Sequence, residues 1–104
     1  MRKVYNKLVR DKIIDIIEAD NKKPGYRVVD KGECQELLVK KLQEEVDEFL
    51  EERELIELAD ILEVIQAYAE LSGLSWEQLM DMKEKKAERR GGFKKRFLLE
   101  WVEE

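Results

Sequence analysis

The chain of 104 residues contains no histidine and only one cysteine, Cys34. Without histidine, Ser-His-Asp and Cys-His catalysis is excluded, and so are zinc and di-iron sites that need imidazole ligands. A single cysteine can form neither an internal disulfide nor a thiolate zinc site by itself. Any metal ion in this protein must therefore be held by oxygen ligands.

The sequence also shows no linker-like stretch, no signal-peptide pattern and no excess of bases over acids. No stretch reads as a linker, so residues 1–104 are predicted to form a single domain. The N-terminus lacks the continuous apolar run of a signal peptide, and together with the single cysteine this favours the cytoplasm. The net charge of −5 disfavours nonspecific binding of nucleic acid. Leu, Ile, Val and Phe nevertheless total 31 residues, which is enough for a hydrophobic core.

The hydrophobic pattern and the turn residues predict an all-α chain of four helices. The first ends near Asp20, the second runs from Lys31 to Glu52, the third from Glu54 to Leu71, and the fourth from the Ser75 capping box to Arg90. Beyond Gly91-Gly92, the segment from Phe93 to Trp101 is too apolar to remain in water. We expect this C-terminal tail to pack back on the helices.

The third helix carries acids where apolar residues dominate. Of the 17 residues from 55 to 71, 12 are apolar, and they occupy nearly every side of the helix. Glu57 and Asp60 project together into this apolar setting and away from the solvent stripe. An ionised carboxylate buried without a partner is costly, so the pair needs cations nearby. A membrane span is unsupported, because acids interrupt the apolar run.

The second helix adds two more acids on the facing side. Glu45 lies beside the core stripe of this helix, and Glu48 shares its face one turn later. If the two helices pack antiparallel through a short turn, these acids face Glu57 and Asp60. Four converging carboxylates repel one another unless a divalent ion neutralises them, and all-oxygen ligation favours Mg²⁺ or Mn²⁺. Mg²⁺ in turn indicates phosphate chemistry.

Charge is segregated along the chain in a way that suits a polyphosphate. Residues 44–63 contain ten acids and one base, whereas residues 83–96 contain eight bases and two acids, and residues 1–12 add five bases and one acid. Lys and Arg can take phosphate charge that a metal ion leaves, and Gly91-Gly92 lets backbone amides approach an anion. No P-loop or Rossmann glycine motif is present, so those modes of phosphate binding are unsupported.

The acids also form a recognisable pair of motifs. Glu44-Glu45-Val46-Asp47-Glu48 reads as EExxE, and Glu57-Leu58-Ala59-Asp60 reads as ExxD. This combination resembles the MazG-like all-α nucleoside triphosphate pyrophosphohydrolase superfamily. The two ends of the chain, residues 5–12 and 90–93, are similar to those of its phosphoribosyl-ATP-pyrophosphohydrolase-like branch.

The resemblance implies a fold, an activity and a site. The fold would be a MazG-like four-helix bundle with a short apolar C-terminal tail, assembled as a homodimer or higher homo-oligomer. The activity would be Mg²⁺-dependent hydrolysis of a nucleotide to the monophosphate and pyrophosphate, in nucleotide-pool house-cleaning, with Mn²⁺ as a substitute. By motif, the metal ligands would be Glu45, Glu48, Glu57 and Asp60. Glu44 would orient or deprotonate the attacking water. The candidates for binding the nucleotide are Asn6, Lys7, Arg10, Lys83, Lys86 and Arg90.

Two alternatives stay open at this point. Within the same class, the protein would be a dedicated phosphoribosyl-ATP pyrophosphohydrolase of histidine biosynthesis. From another class, the acids and bases would be ordinary solvated helix charges on a non-catalytic helical interaction module. No residue pattern here identifies the base or the sugar of a nucleotide.

Overall fold

The computed structural model describes residues 1–104 and contains four helices and no strand. The helices are α1 (Ile13–Ala19), α2 (Lys31–Glu52), α3 (Glu57–Leu71) and α4 (Trp76–Arg90). The prediction of an all-α chain with four helices is confirmed. The predicted bounds of α2 and the predicted ends of α1, α3 and α4 agree with the structure to within a residue.

Side-chain caps fix where α2 and α4 begin. The Asp30 carboxylate accepts a hydrogen bond from the Glu33 amide at 2.8 Å. Ser75 and Gln78 form a complete capping box, with amide-to-side-chain bonds of 3.1 and 2.9 Å in the two directions. Such bonds satisfy amides that the first helical turn leaves without partners. The Glu33 side chain does not complete the first box, because it pairs with Arg27 instead.

A four-residue turn joins α2 to α3. Arg53 adopts the left-handed conformation, and its amide donates to the Phe49 carbonyl while its Nε donates to the Leu50 carbonyl, both at 2.8 Å. Residues 54–56 form the rest of the turn, so the predicted start of α3 at Glu54 is wrong, and the helix starts at Glu57. Since the link is so short, α2 and α3 pack side by side as an antiparallel hairpin.

The helices of one chain do not close into a bundle. α2 packs against α3, α4 touches only α3, and α1 packs against no other helix. The molecule measures 64 × 32 × 24 Å, with a radius of gyration of 18.6 Å. A compact chain of this length has a radius of gyration of about 13 Å. The single chain is therefore extended.

Burial is correspondingly sparse. Five residues are buried, and only three of them are apolar: Leu38, Val64 and Ala69. The other two are Glu45 and Glu57. Large apolar side chains remain exposed along the α2–α3 hairpin and in the tail. Such an amount of exposed apolar surface is typical of a chain that packs against a partner.

The C-terminal tail does not pack on its own helices, and the prediction that it does is wrong for the single chain. Phe93, Phe97 and Trp101 are 97%, 85% and 71% exposed. Gly91, with φ of 80°, ends α4, and the chain then turns beside the last turns of that helix. The α4 residues there are mostly charged, including Lys83 and Arg90. They provide no apolar groove that could hold the tail.

Candidate metal and phosphate site

Glu45 lies on the face of α2 that meets α3. It is 9% exposed, and Lys41, one turn earlier, places its Nζ 3.6 Å from a Glu45 carboxylate oxygen. Burial raises the pKa of the Glu45 carboxyl above its ordinary value, and the charges of Glu48 and Asp60 raise it further, against the opposing effect of Lys41. The structure thus brings Glu48 and Asp60 within electrostatic reach of Glu45.

Glu57 occupies the first turn of α3 and is 6% exposed. Its Oε1 is buried and has no hydrogen-bond partner. Carboxylate oxygens of Glu52, Glu54 and Glu57 all lie within 4.8 Å of one another. Burial raises the pKa of the Glu57 carboxyl, and the neighbouring Glu52 charge raises it further. We call these three residues the hairpin triad.

Asp60 is held by a base from the N-terminal segment. The Arg10 Nη2 donates to Asp60 Oδ1 at 2.8 Å, with both side chains about half exposed. This contact joins a predicted nucleotide-binding residue to a predicted metal ligand across 50 positions of sequence. Arg10 therefore neutralises part of the negative charge that a metal ion was predicted to neutralise.

The four predicted ligands therefore fall into two adjoining groups. Glu48 on α2 and Asp60 in the first turn of α3 lie near Glu45, and Glu57, also in that first turn, belongs to the hairpin triad. Glu52 and Glu54 were missed as candidate ligands from the sequence. Both residues lie beside Arg53 at the turn between the two acidic helices, which could have identified them. They were missed because Glu54 was predicted to belong to the third helix and not to the turn.

Glu44 lines a small cleft with two other predicted residues, Asn6 and Lys7. The cleft volume is about 30 Å³, and its remaining lining residues are Leu8, Leu37, Lys40 and Lys41. A space of this size accommodates a water molecule or an ion but not a nucleotide. Its two α2 lysines were not predicted as functional. The cleft places a glutamate, an amide and several ammonium groups around one small polar space.

A larger basic pocket lies at the end of α4. Its volume is about 640 Å³. It contains two predicted residues, Lys83 and Arg90, but not Lys86. The other lining residues are Glu84, Ala87, Gly91, Gly92, Lys94, Lys95 and Phe97. Ammonium and guanidinium groups around an open pocket suit an anionic ligand.

The acids and the basic pocket do not meet within one chain. No residue of α2 or α3 lines the basic pocket, and no base after Lys41 pairs with an acid of residues 44–63. None of the helices has the length and apolar character needed to cross a membrane. The chain matches no protein-family model, no curated protein and no solved structure with which it was compared.

Proposed function

We propose that this protein is a Mg²⁺-dependent nucleotide pyrophosphohydrolase of the MazG-like type, and that Mn²⁺ can replace Mg²⁺. One observation carries the proposal: the Glu57 carboxylate is buried, and its Oε1 lacks a partner where the Glu52 and Glu54 carboxylates converge. A buried carboxylate oxygen without a donor is costly, and further acids beside it increase the cost. A cation at this point would remove both penalties.

The residues present fit a small hard cation. All the available donors are carboxylate oxygens, which Mg²⁺ and Mn²⁺ prefer. Glu57, Glu52 and Glu54 would hold one ion, and the other predicted ligands, Glu45, Glu48 and Asp60, would contribute to binding a second ion. When bound, Mg²⁺ would lower the pKa of water and offset the charge of phosphate oxygens.

The chain's own residues supply the remaining functions. Glu44, beside the small cleft, would orient the attacking water and accept its proton. The water oxygen forms a bond to the α-phosphorus, the bond to the bridging oxygen breaks, and pyrophosphate leaves. The phosphates or the ribose would be bound by polar and basic side chains from the candidates Asn6, Lys7, Arg10, Lys83, Lys86 and Arg90.

The functional unit in this proposal is a homo-oligomer that completes a four-helix bundle. One chain buries three apolar residues and leaves the hairpin and the tail exposed. A second copy would cover this apolar surface and bring the basic segments of one chain towards the acids of another. The single free cysteine suits a cytoplasmic location.

A second candidate function also has an observation in its favour. Lys41 and Arg10 already pair with Glu45 and Asp60, so two of the predicted ligands have partners without a metal ion. A non-catalytic helical interaction module would use such ion pairs for solubility and the exposed apolar surface for binding. It predicts no response of the folded protein to divalent ions.

Pyrophosphate release tests the enzyme proposal directly. Purified protein is mixed with a panel of nucleoside triphosphates and with phosphoribosyl-ATP, in the presence of Mg²⁺, Mn²⁺ or a chelator. We expect metal-dependent release from at least one nucleotide, with Glu57→Gln reducing it by about 100-fold or more. Glu63→Gln, an exposed acid on the same helix, is the matched control and should retain activity.

The substrate panel also separates the two enzyme classes. A strong preference for phosphoribosyl-ATP would identify a histidine-biosynthetic enzyme, whereas a preference for a triphosphate would favour nucleotide-pool house-cleaning. Absence of release from every nucleotide would contradict the proposal and favour the interaction module.

A further inference from the structure

The C-terminal tail combines exposed aromatic side chains with consecutive bases. The tail, residues 93–101, includes Phe93, Phe97 and Trp101, which are 71–97% exposed. Lys94, Lys95 and Arg96 follow one another between the two phenylalanines. A segment of this kind is poorly suited to water, since it leaves apolar rings solvated without a covering layer.

The tip of the α2–α3 hairpin has the opposite charge and a similar apolar content. Residues 47–56, called the hairpin tip, expose Leu50, Leu55 and Ile56 to 53%, 77% and 71%. Five acids and one base lie in the same ten residues. Apolar side chains are thus surrounded by carboxylates here, as they are flanked by ammonium and guanidinium groups in the tail.

The tail and the hairpin tip do not engage each other within one chain. No hydrogen bond or ion pair joins them. The tail's nearest pocket is formed with α4 alone, and its lining contains no residue before Lys83. α4 in turn touches α3 but not α2. The tail and the hairpin tip of one chain are therefore both free to bind a second copy. Their charges are opposite, and both expose apolar side chains.

We propose that the tail of one copy of this chain docks on the hairpin tip of a second copy, and that the exchange is reciprocal. Aromatic side chains bury about 150–250 Å² each when covered. With three rings per tail, two tails bury on the order of 1,000 Å² before the surface of the tip is counted. The exchange thus reaches the range of about 1,200–2,000 Å² that is typical of stable interfaces.

The exchange has a consequence for the site. It brings Lys94, Lys95 and Arg96 of one copy beside the hairpin triad of the other, together with the basic pocket at the end of α4. Each acid site would then receive its phosphate-binding cations from the partner copy. This inference rests on the homo-oligomer of the proposed function. It adds that the tail of one copy forms the contact and that the hairpin tip of the other receives it.

Charge reversal on the two surfaces tests the contact. One variant carries Lys94→Glu and Lys95→Glu, and the other carries Asp47→Lys and Glu51→Lys, which avoids all candidate metal ligands. In the tail variant alone the tail meets a tip of like charge, and in the tip variant alone the tip keeps no net charge to attract the basic tail, so we expect self-association of each variant to weaken by about tenfold or more. In a mixture of the two variants the unaltered tail of one meets the unaltered tip of the other, so one of the two reciprocal contacts regains opposite charges and we expect the assembly to return in part.

Mass is measured by light scattering after size exclusion over a range of concentrations, and helix content by circular dichroism. Lys22→Glu with Lys23→Glu gives the same charge change on exposed lysines outside the tail, and this control should assemble like the unaltered chain. Phe97→Ser tests the same contact without a change of charge and should also weaken assembly. The proposal is overturned if the unaltered chain is monomeric, if the tail variants assemble like the control, or if the mixture stays monomeric while each variant is weakened.

Pyrophosphate release is recorded in the same samples, which separates the two proposals. A tail-dependent assembly that releases no pyrophosphate would support the docking and contradict the hydrolase. Metal-dependent release by an assembly that is indifferent to the tail would support the hydrolase and overturn the docking.

Discussion

The substitution Glu57→Gln distinguishes a metal site from a surface charge, because its effect on the melting temperature should change sign when Mg²⁺ is added. Without divalent ions, we expect the substitution to raise the melting temperature, because it removes a buried charge beside Glu52 and Glu54 and supplies an amide that can donate to them. With saturating Mg²⁺, we expect the unaltered protein to be the more stable of the two, since only it retains the full set of ligands.

The magnitude follows from linkage. An ion present at about 100 times its Kd, and bound only by the folded state, adds about 2.7 kcal/mol of stability. For a domain near this size, each kcal/mol shifts the melting temperature by about 4–8 °C. Saturating Mg²⁺ should therefore raise the melting temperature of the unaltered protein by about 10–20 °C. Glu57→Gln should lose most of that rise.

The pH dependence of the metal-free protein has a definite sign as well. Because the pKa of the folded Glu57 carboxyl is raised, the folded state holds its proton more tightly than the unfolded state does. The free energy of unfolding should therefore fall as pH rises from the ordinary glutamate pKa through the raised one. Bound Mg²⁺ should suppress this fall.

The assay is differential scanning fluorimetry with a Mg²⁺ titration at fixed protein concentration, repeated with a chelator. Glu63→Gln is the matched control, because it makes the same substitution at an exposed position of α3 and should follow the unaltered protein. An equal Mg²⁺-induced rise in Glu57→Gln and in the unaltered protein would refute the assignment of Glu57 as a ligand.

Three further predictions concern single contacts. Leu38→Ala should lower the free energy of unfolding by about 2–3 kcal/mol in urea, because Leu38 is one of only three buried apolar side chains; a loss below about 0.5 kcal/mol would show that the hairpin core lies elsewhere. Arg10→Gln should cost less than about 1 kcal/mol, because its ion pair is half exposed, but it should tighten Mg²⁺ binding by freeing Asp60; unchanged affinity in the thermal titration would contradict this. The pKa of the Glu33 carboxyl is lowered, chiefly by its hydrogen bonds with Arg27. This pair therefore stabilises the protein at neutral pH, and its contribution is lost as pH falls through the lowered value. Arg27→Gln should return the Glu33 titration, followed by carboxyl-carbon NMR, to the ordinary range.

Local signals account for the parts of the fold that were predicted well. The start of α2 at Asp30 and the start of α4 at Ser75 each depend on side-chain bonds that span three residues. Interactions of that range can be read from a sequence because both partners lie in one short segment. The start of α3 was predicted wrongly, since it depends on the left-handed Arg53 and on how the hairpin closes.

In the candidate site, too, local features were predicted and contacts between distant segments were not. Helical periodicity predicted that Glu45, Glu57 and Asp60 face inward, because the direction of a side chain on a helix follows from its position. Glu45 and Glu57 are buried, whereas Asp60 is about half exposed because it lies in the first turn of α3 and turns to Arg10. The pairing of Arg10 with Asp60 and the approach of Glu52 to Glu57 were not predicted. The first joins distant parts of the chain, and the second depends on the shape of one turn.

The sequence by itself determined the helix content, the chemical character of the acids and bases, and the inward direction of two glutamates, because each depends on composition or on short-range periodicity. Only the tertiary structure decided which carboxylates converge, which bases reach them, and that the apolar tail finds no cover on its own chain. Those properties depend on distances between segments far apart in sequence, which local preferences do not specify.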